Sequence, residues 1–158
     1  MNIWLAIFLF LHVMGAIVAF GPVFSFPIIG RMGGAEPQHA NFATRVSDRI
    51  SKERVLPLAI FQGITGVALI LITGINLFAT PWLLIGITLY LIAVGYNVLF
   101  GIPTVKKVIA MTSTPPPPGA SGPPPELQAA IRRIQLGGMF SGLLVLIIVA
   151  LMVTKPQF

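Results

Sequence analysis

One ionisable side chain sits in an otherwise uncharged run near the start of the chain. From Ile3 to Phe24 every residue is apolar or small except His12. His12 lies nine residues past Ile3, roughly 14 Å along a helix at 1.5 Å per residue. That depth is close to the middle of a hydrocarbon core. An imidazole there can ligate a haem or a metal, or relay protons. It can equally make one hydrogen bond to a neighbouring helix and fix packing. With no matched second ligand in the sequence, the packing reading has the stronger claim. Tyr90 lies eight residues past Trp82 and reaches a similar depth, so a His12–Tyr90 hydrogen bond is expected. His39, among charged residues, reads as a surface histidine.

A second constellation is polar but not ionisable. Gln62, Thr65, Thr73 and Asn76, at offsets of 3, 11 and 14 residues, fall on one helical stripe. Such a stripe can line a passive path for small solutes. More often it supplies hydrogen bonds between helices, about 1 kcal/mol each. Small residues mark where helices can approach: Gly15 and Ala19 beyond His12, and Gly138-x-x-x-Gly142, with Gly137 and Ser141 parallel to it.

Other chemistry has no residues to carry it. There is no cysteine, hence no disulfide or thiolate ligand. No HExxH, phosphate-cradling loop or spaced His/Cys/Asp/Glu cluster occurs. The four acids, Glu36, Asp48, Glu53 and Glu126, all lie outside the apolar segments. Ion-coupled transporters mostly depend on charged groups within the membrane, so that class is disfavoured. No catalytic residue and no metal set are assigned, and the reading leans away from an enzyme.

The elements that position these groups are membrane helices. The chain is 56% hydrophobic and 9% charged over 158 residues, with mean hydropathy +0.93, unlike the charged surface of a soluble domain. Four segments can each span, about 3–29, 55–78, 82–103 and 134–153. They form one domain over residues 1–158, an all-α four-helix transmembrane bundle. The first segment lacks a basic leader and is expected to be retained. Pro22 and Pro27 should bend it.

Nine of the ten Lys and Arg residues fall in the connections 31–54 and 104–133. The positive-inside rule puts both in the cytoplasm and both termini outside, with Trp4 and Trp82 at the outer interface. The formal net charge of +6 then faces anionic lipid rather than nucleic acid. In the first connection, Phe42, Val46 and Ile50 recur every four residues beside Arg45, Arg49 and Lys52. This predicts a short amphipathic helix lying on the inner surface. In the second, Pro115–Pro118 and Pro123–Pro125 read as polyproline II pieces of a semi-rigid loop. Pro125-Glu126 suits the start of a helix running unbroken into the fourth span.

Several motifs resemble those of a bacterial family of predicted integral membrane proteins, domain of unknown function 2269. They are Trp4…Leu11-His12-Val13-Met14-Gly15-Ala16…Gly21, then Ile64-Thr65-Gly66…Ile72-Thr73-Gly74, then Pro81-Trp82-Leu83. The resemblance covers roughly Ile3 to Met111 and implies a multi-pass protein of the bacterial inner membrane. A first-helix histidine followed by glycine is more distantly similar to copper-resistance D-like and HemJ-like membrane families. That likeness implies haem as a cofactor, with His12 alone carried over as a ligand.

Three functions are therefore in play. The leading one is an accessory or scaffold subunit working through helix contacts, in a larger membrane complex or a homo-oligomer. The second is a haem- or metal-binding redox protein using His12. The third is a passive small-solute channel.

Overall fold

The computed structural model describes residues 2–114 and 122–156. Among them the fold is all helical, with no strand. The stretch Pro115–Ser121, most of the expected proline-rich loop, lies outside the described residues. The helices are α1 (Ile3–Phe20), α2 (Phe26–Ala35), α3 (Ala40–Ile50), α4 (Leu56–Thr73), α5 (Pro81–Tyr96), α6 (Ile102–Met111) and α7 (Pro125–Thr154). They join into four rods long and apolar enough to cross a membrane, Ile3–Ala35, Pro37–Thr73, Pro81–Met111 and Pro125–Thr154.

Three of the four rods carry a joint, and proline explains each. A proline has no N–H, and its ring crowds the carbonyl four residues earlier. For Pro57 that residue is Glu53, the centre of a π-turn over Ser51–Val55. For Pro103 it is Leu99, the centre of a π-turn over Asn97–Gly101. In both, the residue before proline donates its N–H five residues back, Leu56 to Ser51 and Ile102 to Asn97. The widened turn makes room for the ring. For Pro27 the residue is Val23, in a tightened 3₁₀ turn over Gly21–Ser25. There Phe26 donates to Val23 instead. The expected bend in the first segment is this turn, and helix continues beyond Ile29 to Ala35.

The spans pack as two pairs, α1 along α4 and α5 along α7. Beyond the proline joints, α2, α3, α6 and the start of α7 pack into a charged end. Its core is Val108, Leu127 and Ala130, with Met111 and Ile134 against them.

The amphipathic helix is present as α3, but not as a separate helix lying flat. It runs on into α4 as one rod of 37 residues and packs on α2 and α6. Protein therefore meets most of its apolar face. Val46 and Ile50 are half-buried, and Phe42 stays exposed. An added Cβ on Gly33 would lie 2.8 Å from the Ala43 methyl, so α2 and α3 approach closely there. Asn41 ties α3 to the end of α6, its Nδ2 donating to the Ile109 carbonyl and the Thr112 hydroxyl, both at 3.0 Å.

Candidate functional site

The α1–α4 seam holds the polar groups nearest the middle of the spans. Along α1, His12, Gly15 and Ala19 face α4, and Gly15 and Ala19 are buried. Along α4, Ala59, Gln62 and Thr65 are buried. The helices run antiparallel, so His12 lies level with Thr65 and Gly15 level with Gln62. The half-buried His12 places Nδ1 2.9 Å from Thr65 Oγ1. Glycines leave little space beside it: a Cβ on Gly66 would lie 3.3 Å from His12 Cε1, and one on Gly15 2.9 Å from Gln62 Oε1.

The Thr65 hydroxyl also lies 3.1 Å from the Phe61 and Gln62 carbonyls. Its single proton goes either to one of them or to His12 Nδ1, according to the imidazole tautomer; in the tautomer whose Nδ1–H donates to Oγ1, the lone pair is on Nε2. Gln62 is 92% buried, and its Oε1 has no hydrogen-bond partner among the described residues.

The family model described as "Predicted integral membrane protein (DUF2269)" matches residues 6–156. The chain belongs to this family. No curated protein and no solved structure matches it.

In this DUF2269 protein the expected His12–Tyr90 hydrogen bond is not made. Tyr90 donates instead to the Ala59 carbonyl at 2.8 Å. Ala59 lies six residues from Thr65 on α4, about 9 Å along the axis and on another face. Tyrosine and histidine therefore meet α4 at different levels and from different sides. Gly63 makes room for the tyrosine, since a Cβ there would come within 2.7 Å of its hydroxyl.

The polar stripe is also divided. Gln62 and Thr65 are buried in the seam. Thr73 is exposed, and its hydroxyl donates to its own helix at Leu69. Asn76 is not on the helix. Gly74, at φ 64°, ends α4 in the left-handed conformation that glycine adopts without strain. Asn76 then caps the following turn, its Oδ1 accepting from the Phe78 N–H. A glycine after the last polar-stripe threonine was the readable stop signal.

The second pair of spans has polar contacts that sequence spacing alone did not match. Asn97 Nδ2 donates to the Ser141 hydroxyl at 3.1 Å, and the Tyr96 ring stacks edge-on against Phe140. Gly137 lets Tyr96 in, because a Cβ at that position would collide with its hydroxyl. The inward face of α7 is thus Gly137 and Ser141. The neighbouring Gly138 and Gly142 face open space. His39 is at the charged end, 3.7 Å from Glu36, far from His12 in the fold. No group of three or more His, Cys, Asp or Glu side chains forms a metal site among the described residues.

Proposed function

We propose that this DUF2269 protein is a non-catalytic, multi-pass subunit of the bacterial inner membrane, an accessory or scaffold that works through helix contacts. One observation carries the reading. A compact soluble protein of 16.9 kDa exposes about 7,700 Å², whereas this chain exposes 10493 Å². Within each span only 11 to 17% of the most apolar stretch is buried inside the chain. Two helix pairs with open outer faces suit a component built against others of its kind or a larger complex. Gly138 and Gly142 are the contact we assign to that role, because close helix approach uses small residues. The excess of Lys and Arg at one end supports an orientation with that end in the cytoplasm and both termini outside. Trp4 and Trp82, at the opposite end, match the outer interface.

The test uses the open space around the ridge. A Cβ added at Gly138 or Gly142 meets nothing within 4 Å, so the fold should survive replacement of both by Leu. Cross-linking in native membranes should capture the wild type in a dimer or larger complex, and the double variant should run as a monomer. A wild type that is already monomeric would count against the role.

A second reading follows from the Thr65 contact. In the tautomer that donates Nδ1–H to the Thr65 hydroxyl, His12 Nε2 is able to ligate haem, in line with the distant likeness to haem-associated membrane families. His12 is the one histidine within the spans, so the site would be five-coordinate or take its opposing axial ligand from another subunit. Haem-replete expression should then give a Soret band that His12→Ala abolishes. Colourless wild-type protein would dispose of this reading. The channel reading has less support, since the stripe meant to line it is split between a packed seam and an exposed helix end.

A further inference from the structure

We propose that the groove between α3 and α6 binds the phosphate of an anionic phospholipid, with Arg45 and Lys106 as its counter-ions. Phe42, Arg45, Val46, Arg49, Lys106 and Ile109 are among its lining residues. The charge balance of the groove favours an anion. Asp48 and Glu53 also line it, but each is already paired, Lys52 with Asp48 at 2.6 Å and Arg49 with Glu53 at 2.7 Å. Of the remaining acids, Glu126 holds Lys107 at 2.6 Å and Glu36 lies near His39. Arg45 and Lys106 are therefore exposed cations without an acid partner among the described residues.

Position selects a lipid over a soluble anion. Lys106 is the first charge after an uncharged run from Leu56 through Val105, which sets it at the headgroup level where the third span leaves the hydrocarbon. Arg45 stands about level with it, one turn along α3 from Asn41, which bonds Ile109 and Thr112 one turn further along α6. Phe42, Val46 and Ile109 give the groove an apolar floor, and the Asn41 hydrogen bonds to α6 hold its two walls together. The site needs only that this end meets a bilayer surface, so it holds whichever side of the membrane that end faces.

Native mass spectrometry of the full chain in a neutral detergent tests this, with dioleoylphosphatidylglycerol or dioleoylphosphatidylcholine added. The wild type should retain one phosphatidylglycerol in preference to phosphatidylcholine. Arg45→Gln and Lys106→Gln should each weaken retention roughly fivefold, and the double variant about 30-fold. Arg132→Gln with Arg133→Gln removes the same charge elsewhere and should leave retention unchanged. Three results would overturn the proposal: equal retention of the two lipids, equal loss in the Arg132/Arg133 control, or displacement by millimolar glycerol 1-phosphate. The last would make it a site for a soluble phosphate.

Discussion

At the scale of single residues, the seam works by pairing each polar group with a place where a Cβ is missing. Gly66 admits His12, Gly15 admits Gln62, and Gly63 admits Tyr90. At Gly66 and Gly63 the absent methyl lets His12 and Tyr90 reach a hydroxyl or backbone partner that lipid could not supply. Gly63→Ala should therefore do more than alter helix propensity. The new methyl would push on the Tyr90 hydroxyl at 2.7 Å and break its bond to Ala59. The expected loss is about 1–3 kcal/mol, read as an earlier midpoint in SDS titration of helicity. Gly34→Ala, which meets nothing within 4 Å, should show no loss. Much of the seam was legible in the residues themselves. His12 and Gly15 are three apart on one helix, and Thr65 and Gln62 are three apart on the other. What spacing could not reveal is the side on which a third helix approaches, and Tyr90 depends on that.

At the scale of elements, prolines divide each of the first three rods into a membrane part and a charged part. Their positions were plain from the sequence. The compensating turns were not, because whether the chain tightens or widens ahead of a proline depends on what the helix packs against afterwards. The widened turn before Pro57 lets α3 continue α4 while packing on α2 and α6. Its amphipathic pattern was readable, but the same pattern serves a bilayer surface or a protein neighbour. The fourth rod has no joint, and its start is held to α6 by Glu126 and Lys107. The hydrogen bond from Lys107, together with its positive charge, holds the Glu126 carboxyl below its ordinary range. A carboxylate whose pKa is lower folded than unfolded stabilises above its unfolded value and loses that contribution as pH falls through the folded one. The protection factors of amides in the first turn of α7, measured against the intrinsic exchange rate at each pH, should therefore be higher near neutral pH and fall in acid below the usual carboxylate range. Because Glu126 is exposed, the change should be small and confined to that turn. Glu126→Gln should show the lower protection factor at both pH values.

At the scale of the whole molecule, four apolar rods and a basic end follow from composition and from where Lys and Arg fall. Pairing is a finer matter. Nothing in the hydropathy of four similar segments says that α1 chooses α4 and that α5 chooses α7. That choice comes from matched small and polar residues: His12, Gly15 and Ala19 against Thr65, Gln62 and Ala59, and Gly137 and Ser141 against Tyr96 and Asn97. The antiparallel α1–α4 register is the claim on which the His12 site and the split stripe both rest. The chain has no cysteine, so an engineered pair reports without background. Oxidation of membranes carrying Gly15→Cys with Gln62→Cys should form an intramolecular disulfide or accept a short bifunctional cross-linker. Val13→Cys with Gln62→Cys should do neither, since Val13 is exposed. Cross-linking of the Val13 pair, or failure of the Gly15 pair in correctly inserted protein, would contradict this account.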